Sequence, residues 1–489
     1  MISHARQDGK ISTGTCQIIQ ERLCPSSDAV DEFADEKATQ ALNRRLVRKM
    51  DAAFLSVMVL VFFFKRVDKS IIAKAKLSSF ERDLNLHGTQ FNTAVSMAAA
   101  GYLITIIPSN LLLTRARPSI YLPCCASLWA IVAMATAAAQ NYPQIVALRF
   151  LLGLCEGPYS PGCIFVLSCW YTKEELALRN AILAIATPLS SAFVGLISAG
   201  VFSKMEGVHG WAGWRWLFLL MGCISLAAAL MAFVFFPDYP ESSTGSTQWL
   251  LTPVERRWAI ERMRRDRVAH PKSTVLAGMK SALLDYRVWL LALVSCCHRS
   301  ATGYSTFYPS IVKAMHLGNT YVTLLCTAPP YLLGAIVSCL VSWSSDRFHD
   351  RSGHMMGTMT VVTIGFIIHI AVENRPVQYF ASFLYIPADS ATNALPRALI
   401  ATAAGQTPEK RSCAVAIVEV ITSLSEVWSS YFFQNNDAPR YIKGMVILVA
   451  FSVVCILSAG LMRWILWRDN RRLQARFAGT DTVPILHPL

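Results

Sequence analysis

The sequence predicts an all-α polytopic membrane protein in which twelve transmembrane helices form two pseudo-symmetric six-helix bundles. Three observations lead to this fold class. The chain of 489 residues is 54% hydrophobic but only 16% charged, whereas typical soluble domains carry about a quarter charged residues. Its apolar residues fall into runs of about 20, the length with which a helix crosses a bilayer. A longer polar stretch near the middle divides the runs six and six.

The expected spans lie at about 52–72, 92–113, 119–139, 143–166, 179–203, 215–236, 285–309, 320–343, 356–373, 378–399, 413–433 and 444–467. Basic residues precede span 1 and follow span 12, at Arg44, Arg45, Arg48, Arg468, Arg471 and Arg472. The positive-inside rule therefore places both chain ends in the cytoplasm. Lys74, Lys76 and Arg82 in the first outer loop run against this rule. We expect a multi-pass protein of the plasma membrane, and a monomer.

The span pattern predicts five segments. These are a largely disordered cytoplasmic tail at 1–50, bundles at 51–236 and 285–467, a cytoplasmic linker at 237–284 and a C-terminal tail at 468–489. The linker contains the capping box Thr252-Pro253-Val254-Glu255, followed by six arginines up to Arg267. This predicts an amphipathic helix lying on anionic lipid of the inner leaflet. Because the net charge of +14 follows the topology, no nucleic-acid partner is expected.

The two halves carry signs of an internal repeat. Arg115 after span 2 and Arg347 after span 8 lie 232 residues apart, and Lys69 in span 1 and Arg299 in span 7 lie 230 apart. A constant offset near half the chain length is what duplicated six-helix halves leave.

The composition argues against a metal centre, a disulfide framework and an enzyme. Most of the 14 cysteines lie within apolar runs, where they behave as small hydrophobic residues. Neither a metal-ligand spacing nor a nucleophile motif or phosphate loop appears, so no cofactor or metal is expected. The first 50 residues contain no apolar core, which predicts that span 1 itself directs insertion.

Charged groups inside spans are functional candidates, because they cost several kcal/mol unless they face protein or water. Span 1 reads Lys65-Arg66-Val67-Asp68-Lys69-Ser70 after thirteen mostly apolar residues. The simplest interpretation is that the span ends there and that Lys65 and Arg66 extend to the outer interface. Asp68 and Lys69 remain as candidates for coupling and for substrate binding.

Span 4 carries a second charged group. Arg149, Gly153 and Glu156 follow helical spacings of four and three and share one stripe. Glycine allows a neighbouring helix to approach, while the buried charges need partners or water. Two interpretations stay open: a structural ion pair, or a proton relay in which Glu156 binds and releases a proton as Arg149 exchanges partners.

The loop between spans 8 and 9 alternates in charge through Asp346, Arg347 and Arg351. Such a loop suits a gate that forms salt bridges in one conformation and releases them in another. The alternative is an ordinary cytoplasmic loop rich in basic residues.

Spans 7 and 11 supply the remaining candidates. Arg299 is a charged group within span 7, and Tyr304 and Tyr308 lie at its end, where aromatic or broken helix ends commonly line transporter cavities. Glu419 and Glu426 are seven residues apart on one face of span 11 and are candidates for proton coupling or an ion pair. His369 stands alone in an apolar span, where a packing role and a proton-carrying role are both open.

The chain resembles the fungal allantoate permease family, in the anion:cation symporter branch of the major facilitator superfamily. The likeness covers about 45–470 and rests on motifs in order along the chain: Lys49-Met50-Asp51, Gly101-Tyr102, residues 107–110 and 149–162, Trp170-Tyr171, residues 213–218 and 237–240, Ser345-Asp346-Arg347, Lys410-Arg411 and residues 438–441. The resemblance implies the twelve-helix fold, alternating access and no bound cofactor.

Three features depart from the family pattern. The family usually has Leu-Asp-Arg-Ser-Asn late in span 1, where this chain reads Val67-Asp68-Lys69-Ser70-Ile71. Lysine keeps the positive charge but lacks the planar fork that suits a carboxylate. The wider superfamily has a motif rich in glycine and Asp-Arg after span 2, which is reduced here to residues 114–118. The tryptophan that the family usually has in span 10 is absent near Asp389. These changes put the substrate in doubt.

The function expected from these features is proton-coupled symport of a small organic anion, a carboxylate nutrient or vitamin. Lys69, Arg149 and Arg299 would supply positive charge to the cavity. The first alternative is efflux of a fungal secondary metabolite by the same helices. A nutrient receptor that binds without transport is the second, although the chain lacks a long soluble signalling domain.

Overall fold

The computed structural model describes residues 36–113, 116–242, 244–267, 275–348, 350–403 and 408–477. Within these ranges the regular elements are helices, with one isolated bridge between Pro237 and Gly245. Arg115, one member of the expected repeat, lies outside the described residues.

The described part of the first half contains nine α-helices. Their bounds are α1 Glu36–Met50, α2 Ser56–Ala75, α3 Phe80–Asp83, α4 Gln90–Leu113, α5 Pro118–Thr136, α6 Tyr142–Glu156, α7 Tyr159–Trp170, α8 Lys173–Lys204 and α9 Gly213–Phe235. A π-helical turn, Asp51–Leu55, joins α1 to α2, and a 3₁₀ turn, Val208–Gly210, precedes α9. Span 1 corresponds to α2, span 2 to α4 and span 3 to α5. Span 4 is formed by α6 together with α7, span 5 by α8 and span 6 by α9.

The linker and second half continue the pattern. Their helices are α10 Thr247–Leu250, α11 Pro253–Arg267, α12 Val275–Leu283, α13 Tyr286–Ala301, α14 Tyr304–Ala314, α15 Thr320–Phe348, α16 Arg351–Ala371, α17 Arg375–Thr392, α18 Leu395–Ala403, α19 Pro408–Ser429 and α20 Ile442–Phe477. A 3₁₀ turn, Asn435–Asp437, precedes α20. Span 7 is formed by α13 together with α14, span 8 by α15 and span 9 by α16. Span 10 is formed by α17 together with α18, span 11 by α19 and span 12 by α20. The predicted all-helical, two-bundle fold is confirmed.

Among the described helices, nine are long and apolar enough to cross a membrane. The other expected spans each depart from that criterion for a visible reason. Span 1 carries four charges in five residues, span 7 breaks at Thr302-Gly303, and span 10 breaks at Asn393-Ala394. Span 4 also divides, at Gly157-Pro158, but its two parts together pass the test. Helices interrupted within the bilayer need protein or water around their free backbone groups.

Span 1 does not end at its charged residues, which corrects the sequence expectation. Helix α2 continues to Ala75, so Lys65 lies in its middle and is buried. Lys74 is also a buried helix residue, and Lys76 bonds to Glu81 at 3.3 Å and lies 4.4 Å from the Phe91 ring centroid. These two lysines are therefore packed within the protein and are poor indicators of loop topology.

Residues 36–50 form a helix rather than part of a largely disordered tail. Leu46 and Met50 of α1 are buried in the core of the N-terminal bundle. At the end of α1, Asp51 accepts hydrogen bonds from Arg179 Nη2 at 2.6 Å and Tyr171 hydroxyl at 2.8 Å. This packing supplies the stabilisation that the polar sequence of α1 does not suggest.

The linker helix α11 packs on protein along one face. Glu255 accepts a hydrogen bond from Lys49 Nζ at 2.7 Å, and Trp258 donates to Asn43 Oδ1 at 3.2 Å. Arg262, expected to lie on lipid with its neighbours, is buried and pairs with Glu175 at 3.2 Å. The expectation of a basic face on the membrane is thus wrong for Arg262, because this face of α11 docks on the N-terminal bundle. The side chain of Arg267 lies outside the described residues.

The ends of the helices form two faces of the molecule, the terminal face and the opposite face. The terminal face carries α1, the linker and the end of α20, and the opposite face carries the turns after α2, α8 and α14. On the terminal face of the C-terminal bundle, Lys410 pairs with Asp285 at 2.6 Å and Arg287 with Asp469 at 2.5 Å. Between the bundles, span 5 packs along span 8 and span 2 along span 11.

Candidate substrate cavity between the bundles

A polar cavity lies between the two bundles, lined by spans 1, 2, 4, 7, 10 and 11. Six cationic side chains and three carboxylates line it within the described chain: Lys65, Arg66, Lys69, Arg149, Arg299 and Arg397, with Glu156, Glu419 and Glu426. Charges at this depth are tolerated where they face a wet cavity or one another. The excess of cations makes the cavity attractive to anions.

Lys65 and Arg66 contribute to this cavity, although the sequence interpretation placed them at the outer interface. Lys65 Nζ donates to Ser160 Oγ at 2.6 Å and lies 5.1 Å from the Tyr102 ring centroid. The Arg66 guanidinium lies 5.1 Å from the Phe62 ring centroid. The signal that could have identified both residues was the charge density of span 1 itself, since four charges in five residues cannot all face lipid.

Arg149 and Glu156 line the cavity from span 4 and are both buried. The described contacts contain no hydrogen bond or ion pair between them, so the structural ion pair is not formed in this conformation. Arg149 Nε and Nη2 and Glu156 Oε1 are buried without a hydrogen-bond partner among the described residues. Such groups are costly unless water or a ligand satisfies them.

Gly153 explains how span 4 brings these two charges to the cavity. A Cβ atom at this position would collide with the backbone of span 2, which it would approach at the carbonyl of Ala98 and at 2.9 Å from Tyr102 N. A larger residue would therefore push the helices apart. The expected packing role of this glycine is in agreement with the close helix contact.

Glu426 joins the two bundles. Its Oε1 accepts from Arg299 Nε at 2.8 Å and also from Arg299 Nη2, while its Oε2 accepts from Lys69 Nζ. Lys69 belongs to the N-terminal bundle, whereas Arg299 and Glu426 belong to the C-terminal bundle. Among the described contacts, Lys69 does not pair with its chain neighbour Asp68, which bonds to Ser225.

Glu419 lies two turns before Glu426 and also lines the cavity. It pairs with Arg397 of span 10 at 3.5 Å, a contact within the C-terminal bundle. Arg397 was missed in the choice of candidates although it lies inside the predicted span 10. Its position within an apolar span was the available signal.

Three predicted site residues point away from the cavity. Asp68 Oδ2 accepts a hydrogen bond from Ser225 Oγ of span 6 at 3.1 Å. Consecutive helix residues lie about 100° apart, so Asp68 faces a different side of span 1 from Lys69. Tyr304 donates to Asp389 Oδ2 at 3.0 Å, and the Tyr308 hydroxyl lies 3.0 Å from Ser382 Oγ. Both tyrosines are buried inside the C-terminal bundle, and Phe307 of the same helix lines the cavity instead.

His298, a polar residue within span 7, was not among the site residues predicted from the sequence. It lines the cavity, and its Nε2 lies 3.2 Å from Asp389 Oδ1. His369, by contrast, is buried beside Tyr385, with ring centroids 6.5 Å apart. That environment favours the packing role for His369.

The predicted gate residues lie on the terminal face. Asp346 is 3.7 Å from Arg351 and is mostly exposed, and Arg351 Nη1 donates to the Ala398 carbonyl at 2.6 Å. Arg347 is exposed. These contacts of Asp346 and Arg351 lie within the C-terminal bundle.

The seal between the bundles lies toward the opposite face. Asn92 Nδ2 donates to the carbonyls of Ser430 at 2.6 Å and Phe433 at 3.0 Å, and Ser96 Oγ donates to the Val427 carbonyl at 2.8 Å. Further contacts are Lys76 with Asn435 at 2.9 Å and Lys313 with the Leu77 carbonyl at 3.1 Å. Among the described residues, inter-bundle hydrogen bonds lie at the cavity or on this side of it. The cavity is thus closed toward the opposite face.

Comparisons with known proteins agree with this architecture. The family model described as Major Facilitator Superfamily matches residues 58–430. The chain belongs to the major facilitator superfamily. It is a multi-pass membrane transporter of that type, and its relatives and fold are those of transporters and not of enzymes.

Curated relatives of this superfamily match most of the chain. The major facilitator-type transporter hxnP of Emericella nidulans is 30% identical over 92% of this chain and 90% of its own length. The high-affinity nicotinic acid transporter of Saccharomyces cerevisiae is 30% identical over 91% of this chain and 82% of its own. The MFS-type transporter cnsO of Penicillium expansum is also 30% identical, over 91% and 87%.

Solved structures of this superfamily share the fold at low identity. The xylose transporter XylE from E. coli in a partially occluded inward-open conformation has a TM-score of 0.67 at 14% identity, covering 88% of this chain and 99% of that one. A bacterial homologue of the human lysosomal transporter Spinster, inward-facing and unoccupied, has a TM-score of 0.64 at 14% identity, covering 83% and 95%.

Proposed function

We propose that this protein is a proton-coupled symporter of a small organic anion, a carboxylate nutrient or vitamin, and that it works by alternating access. The observation that carries the proposal is the cation excess of the cavity between the bundles. A neutral solute would leave these charges uncompensated whenever the cavity closes, whereas an anion neutralises part of them.

One relative supports a carboxylate substrate. The yeast relative is named for nicotinic acid, which carries one carboxylate on an aromatic ring. The resemblance to the allantoate permease family leads to the same chemical class. In this cavity Lys65, Lys69, Arg149 and Arg299 would attract the carboxylate, and Tyr102 and Phe307 offer aromatic surface.

Glu156 is the proposed proton site. It is a buried carboxylate with one oxygen free of hydrogen-bond partners among the described residues, and it faces the same cavity as the cations. A proton on Glu156 would remove the one negative charge of span 4 that competes with the substrate for Arg149 and Lys65. Proton binding would thus favour anion binding, which is the coupling that symport requires.

We propose that the protein lies in the plasma membrane with both chain ends in the cytoplasm. The terminal face is then the inner face, and the described conformation is closed to the outside. In this orientation the carrier would release its substrate inward and reopen outward by separating the seal around Asn92.

Transport by the purified full-length protein in proteoliposomes tests this function. Uptake of labelled nicotinate, a dicarboxylate and a ureido acid is measured with the outside more acidic than the inside, and again without the gradient. We expect at least one carboxylate to accumulate only with the gradient, and no accumulation of a neutral sugar. Transport of neutral or cationic solutes alone would contradict the proposal.

The same vesicles, preloaded, distinguish the alternatives. Export that exceeds uptake under the opposite gradient would support an efflux transporter. Saturable binding of a carboxylate without flux in either direction would support a receptor.

A further inference from the structure

We propose that Glu426 is a built-in counter-ion that occupies the substrate carboxylate position between Lys69 and Arg299 whenever the carrier is empty. This inference rests on the proposed function, because it requires a substrate with a carboxylate. It assigns the two cations as the carboxylate site and gives Glu426 a role in the return of the empty carrier.

The geometry of Glu426 is that of a bound carboxylate. One oxygen accepts from two nitrogens of the Arg299 guanidinium and the other accepts from the Lys69 ammonium. A substrate carboxylate would use the same two donors, since Arg and Lys both bind carboxylates through charge-assisted hydrogen bonds. All three side chains line the cavity, and the Lys69 side chain is 43% exposed to it. The position is therefore accessible to a ligand from the cavity.

Glu426 is placed where its state affects the inter-bundle seal. Val427, Ser430 and Phe433 follow it along the chain, and their carbonyls accept the hydrogen bonds of Ser96 and Asn92 from span 2. Glu426 is thus the cavity end of one polar seam between the bundles. A separation of Lys69 from the C-terminal bundle would open this seam from its inner end.

Charge compensation explains why the carrier needs such a residue. A symporter must close its cavity in two states, loaded and empty, in order to complete a cycle. In the loaded state the substrate carboxylate compensates Lys69 and Arg299. In the empty state the two cations would face each other across the bundle interface without a counter-ion, which is strongly unfavourable in a closed cavity. Glu426 on span 11 supplies the missing carboxylate from within the chain.

Loss of Glu426 should therefore affect net uptake and substrate exchange differently. Exchange of external for internal substrate uses only the loaded carrier, whereas net uptake also needs the empty carrier to return. We expect Glu426→Gln in proteoliposomes to lower net uptake of labelled nicotinate by about tenfold or more. Exchange of labelled for unlabelled nicotinate should stay within about threefold of wild type. Equal loss of both modes, or no loss of either, would overturn the inference.

Two companion variants make the result specific. Glu419 lies on the same face of span 11 but pairs within its own bundle in the described contacts. Glu419→Gln should therefore change net uptake and exchange in parallel. Glu373→Gln, at an exposed pair with Arg440, should change neither.

A double variant separates a counter-ion from a proton carrier. Lys69→Met combined with Glu426→Gln removes the uncompensated charge, so the ratio of net uptake to exchange should return toward wild type. If Glu426 instead carried the coupled proton, removal of Lys69 would not restore this ratio, and the inference would be wrong.

A measurement without substrate tests the counter-ion role of Glu426 separately from the proposed function. Spin labels on cysteines at His87 and Tyr321, in a cysteine-free background, report the separation of the two bundles on the opposite face. The empty Glu426→Gln protein should populate the separated state about tenfold more than the empty parent protein. An unchanged distance distribution would refute the counter-ion role, whereas failure of every carboxylate in the flux assays would refute the proposed function.

Discussion

Neighbouring side chains of span 1 have different environments, and this shapes the site. Asp68 bonds to Ser225 inside the N-terminal bundle, while Lys69 reaches Glu426 in the other bundle. Lys65 is one turn before Lys69, on the cavity side. The charge run that suggests a helix end in the sequence is therefore distributed between a packed interior and a wet cavity.

Arg149 and Glu156 provide a direct test of the relay. We expect Arg149→Ala and Glu156→Gln each to abolish anion uptake while the protein still inserts, because each removes a buried charge that faces the cavity. Uptake at equal membrane abundance is the measurement, with the exposed Arg82→Ala as control. Normal uptake by either variant would contradict the relay. A severe loss of abundance, from about 3–5 kcal/mol of lost stability, would favour a structural role instead.

Lys65 is the cation that the sequence interpretation misplaced. Lys65→Met should raise the KM for anion uptake by about tenfold, because it removes an uncompensated charge from the cavity. Lys65→Arg should retain part of the affinity. Lys204→Met, an exposed lysine at the end of α8, is the matched control and should leave KM unchanged. An unchanged KM in Lys65→Met would exclude Lys65 from anion binding.

At the scale of elements, two broken helices line the cavity and the linker helix docks on the N-terminal bundle. Spans 7 and 10 are interrupted at Thr302-Gly303 and near Asn393, and all three residues line the cavity. The interruptions expose backbone polar groups where a polar ligand can use them. Helix α11 contributes differently, by fixing the terminal face of the N-terminal bundle through Glu255 and Arg262.

Docking of the linker helix should depend on pH through Glu255. Burial raises the pKa of Glu255, but hydrogen bonds from Lys49 and Thr252 outweigh this effect and hold the pKa below its ordinary value. A lowered pKa stabilises the folded state at pH values above the unfolded-state pKa of about 4.3. That stabilisation is lost as the pH falls through the folded-state pKa.

Glu255→Gln should therefore lower stability at neutral pH by about 1–3 kcal/mol. Thermal unfolding of the detergent-solubilised protein measures this as a lower Tm, and the difference from wild type should shrink in acid. Glu241→Gln, a neighbouring linker carboxylate with an exposed side chain, is the control. A constant difference across the whole pH range would contradict the electrostatic explanation.

The loop between spans 8 and 9 stays a predicted gate. Neutralising Asp346 and Arg347 should bias the terminal face toward the open state, because the charges needed to bridge the bundles are gone. Cysteines introduced at the cavity positions Thr422 and Ser423 should then react faster with a thiol reagent added from the cytoplasmic side. Unchanged labelling would leave these residues as topology signals only.

For the whole molecule, inter-bundle hydrogen bonds around Asn92 close the opposite face in the described conformation. Asn92→Ala leaves two carbonyls of span 11 without their donor, at a cost of about 1–3 kcal/mol. The ratio of outward-open to outward-closed protein should rise by about tenfold. Spin-label distances across the seal measure this ratio, and the exposed Gln140→Ala should leave it unchanged. If Asn92→Ala kept the wild-type distribution, these hydrogen bonds would not determine the closed state.

The sequence by itself determined the helical class, the two bundles and most span boundaries, because the length and polarity of a membrane span are local properties of the chain. It also singled out Arg149, Glu156, Arg299, Glu419 and Glu426 as functional candidates, because a charge inside an apolar span needs protein or water around it, and all five line the cavity. Tertiary structure alone decided the partners. Lys65, which the sequence places at the interface, faces the cavity because span 1 continues past it, and Tyr304 and Tyr308 turn inward to Asp389 and Ser382. Glu426 meets Lys69 of the other bundle since residues 357 positions apart become neighbours only when the two bundles pack, a contact that no local pattern can specify.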